Sequence, residues 1–329
     1  MLYTMRMSRT IVGVLRGGTS SEYDLSLKTG AAMISALPEE RYDPRDIFID
    51  KRGLWHARGV AVTPLRALSQ VDVVLNALHG GGGEDGTVAR LLERAGIPYA
   101  GSRPLAAGLA LNKARARQLF IRAGLRLPRG LAFRASHSLT TGEMARTVFE
   151  RFGPPYVVKP PSEGASRGIR IAAHLIDLPD ALGDVLDAYG AALVEEFIQG
   201  KEASVGIIEN FRGERFYALP PAQTILPVRS RMIEHSHHQQ DLLRHVVPSA
   251  FTDAQKSELI SVARAAHQAL GLSHFSRADL IVAPRHIYLL EVNANPGMYP
   301  SAVFPQMLGS VGSSTSEFLE HSIGLARAA

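Results

Sequence analysis

The stretch EVNANPG, residues 291–297, follows directly on the apolar run IYLL, residues 287–290. A strand-like run that ends in a carboxylate, two amides, a proline and a glycine has two readings: a solvated turn, or a metal site. What lies opposite decides between them. Residues 275–293 read FSRADLIV, APRH, IYLLEVN. Strand alternation puts Ala278, Leu280 and Val282 on one face, with Arg277 and Asp279 on the other. In the next strand Tyr288, Leu290 and Val292 share a face, leaving Glu291 and Asn293 opposite. A three-residue hairpin loop at 284–286 then sets Asp279 across from Glu291 and Arg277 across from Asn293. A two-residue loop would break this register. In it, two carboxylates, an amide oxygen and a guanidinium share one face. Oxygen ligands of this kind suit magnesium, which usually shares its coordination with substrate phosphates. A surface ion pair between Arg277 and Asp279 or Glu291 fits the hairpin equally well.

Working outward, 329 residues are too many for one ordinary core, and two or three domains are expected. With 46% hydrophobic and 20% charged residues the composition is that of a soluble globular protein. No run reaches the length needed to span a bilayer, and residues 11–15 are too short for a signal-peptide core. The expectation is a cytoplasmic protein without membrane partners. The absence of cysteine excludes disulfides, thiolate metal sites and cysteine nucleophiles. Thirty-six Lys and Arg against 31 Asp and Glu give a net charge of +5, with no basic block or basic-aromatic stripe. Anionic small molecules fit that balance, and a nucleic-acid partner is not expected.

Strands at TIVGVLRGG and at residues 72–78, with a helical stretch at 25–37, predict an α/β unit with a parallel sheet. Residues 96–102 fit a short strand and turn, and 105–123 one helical stretch with Leu109, Lys113, Ala116 and Phe120 at helical spacing. A second α/β segment has strands at 156–159 and 192–197 around a helix at 179–188. A third begins near Ala203. Its helix is announced by Thr252-Asp253-Ala254-Gln255, a capping box, carries Leu259, Ala263, Ala266 and Leu270 as its stripe, and ends at Gly271.

Three further stretches face phosphate. Lys159 ends an apolar strand and enters PPSEGASRG, a loop able to cradle phosphates through backbone N–H groups, although not in the Walker spacing; a solvated lysine in a flexible loop is the alternative. His79 and four glycines sit where a parallel strand would end, the usual place for a ligand crevice. Gly17-Gly18-Thr19-Ser20-Ser21-Glu22 follows the first strand without dinucleotide spacing, which counts against a dehydrogenase. His235, His237 and His238 fit a polar loop near substrate better than a zinc cluster.

Together these stretches resemble the ATP-grasp ligases, and most closely the D-alanine–D-alanine ligase family, over nearly the whole chain. GGTSSEYDLSL is similar to that family's first loop, ALHGGGGEDG to its second, and EVNANPGM to its metal-binding signature. The resemblance implies an α/β, three-domain ATP-grasp architecture: residues 1–112, 113–203 and 204–329, with ATP between the central and C-terminal domains. It implies that Lys113 and Lys159 meet the nucleotide phosphates under the loop 164–168, to which Gly164, Ser166 and Gly168 belong. Glu195 and the Ile198 backbone match adenine contacts, and Glu202 the ribose contact. Asp279, Glu291 and Asn293 match ligands of two magnesium ions, with manganese as a possible substitute. Arg277 and the Gly297 N–H are suited to stabilise a tetrahedral oxyanion. Glu22 matches the anchor of the first substrate's ammonium, with His79 beside it, and Ser166 counts with the catalytic set. The implied reaction forms an acyl phosphate from one amino acid, which the amine of the second attacks; it supplies a peptidoglycan precursor. A homodimer is also implied.

Three departures fall on the amino-acid side. A loop serine of the family becomes Ala165, followed by Ser166 and an unusual Arg167. RMIEHSHHQQ occupies the place of the lid's Asp-Tyr-x-x-Lys-Tyr. The serine that holds the second substrate's carboxylate falls at Ala302, leaving Ser301, Arg167, Arg229 or Arg231 to substitute. The expected activity is therefore an ATP-dependent D-alanine–D-alanine ligase. The alternatives are a relative joining D-alanine to another amino or hydroxy acid such as D-lactate, or a nucleotide-binding regulatory protein without catalysis.

Overall fold

The computed structural model describes residues 9–136, 138–228, 230, 232–233 and 242–328. His235, His237, His238, Arg229 and Arg231 lie outside the described residues. The first of three sheets holds β1 (Thr10–Gly17), β2 (Tyr42–Ile49), β3 (Trp55–Ala57), β4 (Val60–Val62), β5 (Val73–Asn76) and β6 (Tyr99–Ala100). Their spatial order is β4-β3-β2-β1-β5-β6, and β1 runs parallel to both β2 and β5. Parallel strands covered on both faces read as continuous apolar runs, and Val12, Val14, Leu15, Val73 and Val74 are fully buried. The segments after β1 and β5, residues 18–22 and 77–86, therefore leave the same edge of the sheet side by side.

The second sheet is antiparallel: β7 (Gly130–Arg134), β8 (Tyr156–Lys159), β9 (Arg170–Ala172) and β10 (Ala191–Glu196), in the order β7-β10-β8-β9. Helices Thr141–Phe149 and Leu178–Tyr189 supply Val148, Leu182 and Val185 to a core shared with Val158 and Val194. The third sheet holds β11 (Lys201–Phe211), β12 (Glu214–Ala218), β13 (Ala222–Ile225), β14 (Arg244–Val246), β15 (Phe275–Val282) and β16 (Ile287–Asn293), ordered β14-β13-β11-β15-β16 with β12 also pairing β11. The Thr252–Gln255 capping box opens helix Asp253–Ala269, Leu259, Ala263 and Ala266 are fully buried, and Gly271 follows its end with φ 63°.

Two departures from the sequence reading shape the site. The helical stretch at 105–123 is broken. Asn112 is extended, and its side chain caps a new helix, Lys113–Arg122, by accepting from the Arg115 N–H at 3.0 Å. This break puts Lys113 at a helix start rather than in mid-helix. The second departure is in the β15–β16 hairpin. The turn is tighter than three residues: Val282 pairs with Ile287, and the Ala283 N–H donates to His286 O at 3.0 Å. A register shift between Asp279 and Leu280 offsets this, so Asp279 still faces Glu291 and Arg277 still faces Asn293. The bulge also corrects the face assignment. Ile287, Leu289 and Val292 are buried in the core, whereas Leu290 joins Glu291 and Asn293 on the cleft side.

Packing knits distant segments together. Ala106, Ala110, Ala116 and Phe120 share a core with Leu280 and Leu289 of the third sheet. Phe304 and Met307 of helix Val303–Ser310 and Phe318 of helix Thr315–Ala328 share one with Val12 and Val73 of the first. Phe304 also lies against Gly206, where a Cβ would come within 2.8 Å of its ring. Phe304→Ala should cost about 3–5 kcal/mol, because a buried aromatic leaves a cavity that its neighbours cannot fill. Urea titration of the variant checks this; a loss below about 1 kcal/mol would show that the site collapses freely.

Candidate functional site

The hairpin face predicted from alternation is built. Asp279 accepts from Arg277 Nε at 2.9 Å and Nη2 at 2.7 Å, and from the Ser204 hydroxyl at 2.7 Å. Glu291 meets Lys113 Nζ at 3.0 Å, and the Asn293 side-chain oxygen accepts from the Asn295 N–H at 2.8 Å. These groups are half-buried within a cleft, and the Arg277–Asp279 ion pair of the alternative reading is present among them. Burial works against ionising Glu291, but Lys113 and Lys159 outweigh it and hold its carboxyl well below the usual range. Burial likewise opposes the Lys113 charge, and Glu291 overcomes it.

Lys159, at the end of β8, pairs with Glu195 at 2.6 Å on the neighbouring β10. Glu195 also holds Arg117 at 2.6 Å, and Arg117 donates on to Pro128 O at 2.8 Å. The Glu195 side chain is thus committed to two buried cations, of which Arg117 carries no local sequence signal. Glu202 on β11 is raised to about 7 by burial and by Asp279 and Glu291 nearby. Beyond Lys159 the loop carries Ala165 and Ser166 at φ 45° and 55°.

Glu22 sits just ahead of helix Tyr23–Ala36, its carboxylate against two backbones. A Cβ at Gly80 would come within 2.8 Å of its Oε1, and one at Gly164 nearer still. Burial and the neighbouring Glu84 push the Glu22 carboxyl up to about 7, against the pull of His79 and Lys113. His79 Nε2 lies 2.8 Å from Thr29 Oγ1, and its Nδ1 3.6 Å from Glu84. Glu84 is a site residue that the sequence reading passed over; its Oε1 is buried without a hydrogen bond. The available signal was its place in the glycine-rich turn five residues after His79. Gly297 lies against the Tyr299 ring, beside the buried Ala302.

One cleft gathers these groups. It is lined by Glu22, His79, Lys113, Lys159, Gly164 and Ser166, and equally by Glu195, Ile198, Glu202, Gly297 and Ser301. Arg277, Asp279, Glu291 and Asn293 line it as well. Of the predicted site residues only Gly168 falls outside the lining. Among the described residues eight carboxylates line the cleft against four Lys and Arg. A polyanion cannot enter such a site without extra positive charge. The donor set of two carboxylates and an amide oxygen fits a hard divalent cation that completes its shell on phosphate. No group of three or more His, Asp or Glu among the described residues could hold a metal by itself. No helix among them is long and apolar enough to cross a membrane.

Comparison with known proteins agrees with this geometry. Residues 119–323 match the family described as D-ala D-ala ligase C-terminus, and residues 59–102 the D-ala D-ala ligase N-terminus. The D-alanine–D-alanine ligase of Geobacter sulfurreducens is 35% identical over 302 residues, covering 92% of this chain and 89% of that protein. The D-alanine–D-alanine ligase of Coxiella burnetii superposes with a TM-score of 0.85 at 21% identity, over 98% of this chain and 95% of that one. The Bacillus anthracis D-alanine–D-alanine ligase complexed with ATP gives 0.78 at 26% identity, over 96% and 97%.

The Glu22 carboxyl yields a pH test. Its folded pKa of about 7 lies above the ordinary 4.5. Such a group contributes stability that is whole below the unfolded pKa and is lost as pH rises through the folded one. Glu22→Gln cannot ionise, so its stability relative to the parent should rise across that window and level off above it. The gain should be about 3 kcal/mol. Urea titrations from mildly acidic to mildly basic pH measure the difference, and parallel curves for the two proteins would show that Glu22 does not titrate there.

Proposed function

We propose, from the premise that the chain belongs to the D-alanine–D-alanine ligase family, that it joins two D-alanine molecules with conversion of ATP to ADP and phosphate. It is an ATP-dependent carboxylate–amine ligase of ATP-grasp fold. The product serves as a peptidoglycan precursor. The observation that carries the reading is the convergence of Asp279, Glu291 and Asn293 with Lys113 and Lys159 in one cleft that Glu22 closes at its far end.

In this reading residues 1–112 form the acid-binding lobe, 113–203 the central lobe and 204–329 the metal-bearing lobe. ATP lies between the last two, with its adenine near Ile198 and Glu195 and its ribose on Glu202. Asp279, Glu291 and Asn293 would hold two magnesium ions, replaceable by manganese, whose charge offsets that of the phosphates during transfer. Lys113 and Lys159 add fixed positive charge beside them, since phosphoryl transfer is largely positioning and electrostatics. Glu22 binds the first D-alanine's ammonium, with His79 beside it, and the carboxylate of that substrate attacks the terminal phosphate. The second amine then attacks the acyl phosphate carbon and expels phosphate. Arg277 gives Nε and Nη2 to Asp279; that pair fixes its guanidinium plane in the cleft that Gly297 also lines, and the two would supply donors to the tetrahedral oxyanion. Ser166 lines the transfer centre and Ser301 the acceptor end. A cytoplasmic homodimer completes the proposal.

Phosphate release from ATP should require D-alanine and fail with L-alanine. D-lactate, offered with D-alanine, tests the hydroxy-acid alternative, which gains support from the lack of a hydroxyl at Ala302. Dependence on L-amino acids alone would sink the assignment. Glu291→Gln should lower turnover by roughly two or more powers of ten, with the fold intact by circular dichroism. Undiminished phosphate release in that variant would remove Glu291 from the site.

A further inference from the structure

Of the four Lys and Arg side chains that line the cleft among the described residues, three are paired. Lys113 meets Glu291 at 3.0 Å, Lys159 meets Glu195 at 2.6 Å, and Arg277 meets Asp279 at 2.7 Å. The fourth is Arg167. Among the described residues its guanidinium has neither a hydrogen bond nor an ion pair, although eight carboxylates line the same cleft.

The segment that carries Arg167 is fixed at both ends. On one side Gly164 lies against the Glu22 carboxylate, and Lys113 Nζ donates to Glu163 O at 2.7 Å. On the other, Gly168 (φ 71°) packs on Tyr189, where a Cβ would come 2.7 Å from the ring. Ala165 and Ser166 stand between them in the left-handed region, which side chains bearing a Cβ rarely occupy. The Arg167 N–H closes the turn on Gly164 O at 3.0 Å. The loop thus presents an exposed Arg167 to the cleft that Glu22, Lys113 and Lys159 also line, with no carboxylate among the described residues paired to it.

We propose that Arg167 binds a substrate oxyanion: the nucleotide's terminal phosphate, or the carboxylate of an acid substrate. The inference rests on reading the cleft as a ligase site. The planar fork of a guanidinium matches two oxygens of either group with paired N–H donors, which a lysine ammonium does not reproduce. Ala165 and Ala302 offer no hydroxyl along the same wall, so the positive charge at Arg167 supplies the anchoring that they lack. Because the side chain is exposed, its removal leaves no cavity and no orphaned partner.

Arg167→Ala and Arg167→Lys test this. Calorimetry would use ADP and a non-hydrolysable ATP analogue, each with magnesium, and steady-state kinetics would give KM and kcat for D-alanine and D-lactate. In the alanine variant one arm should weaken by about ten- to a hundredfold, with unchanged thermal unfolding, and lysine should recover only part of it. Loss for the analogue but not for ADP assigns the terminal phosphate. A raised KM for an acid with unchanged nucleotide affinity assigns the carboxylate. Nucleotide affinities and KM values all within about twofold of the parent would overturn the proposal. The calorimetric arm needs no turnover, so it stays informative even if neither acid proves to be a substrate.

Discussion

One ammonium group ties the cleft together. Lys113 Nζ lies 3.0 Å from Glu291 on the last strand of the third sheet and 2.7 Å from the carbonyl of Glu163 in the loop beyond β8. Its own N–H donates to Pro161 O at 2.8 Å. Two parts of the chain, far apart in sequence, are therefore registered against one residue at the start of one helix. The break at Asn112 makes this possible, because a continuous helix would have satisfied the Lys113 N–H internally.

The same economy of space governs the acid end. Glu22 fits only because Gly80 and Gly164 have no side chain, and the two glycines come from different sheets' loops. A methyl group at either position would push the carboxylate away from His79 and Glu84. Burial foremost, and then the like charge of Glu84, raises the Glu22 carboxyl.

These ion pairs do not hold the protein together. Desolvation offsets most of what a buried pair gains, and apolar replacements are often as stable. The stability comes from four apolar clusters, two of which join segments remote in sequence. Phe304 and Phe318 close the first sheet against the C-terminal helices, and Phe120 closes the third. The charged cleft rides on that frame, with eight carboxylates against four Lys and Arg among the described residues.

The sequence by itself determined what is local. Alternation gave the faces of β15, the capping box gave the start of helix Asp253–Ala269, and the apolar run gave β8 to the residue. The motifs in order gave the family and most of the cleft. Tertiary structure decided what depends on partners distant in the chain. The bulge that turns Leu290 into the cleft compensates a turn one residue tighter than alternation allowed, and no local pattern records such a compensation. Arg117 on Glu195, Glu84 beside His79, and an Arg167 guanidinium unpaired among the described residues are likewise facts of three-dimensional proximity. Charge pairing acts through space, and a sequence states only which charges exist, not which of them have been neutralised.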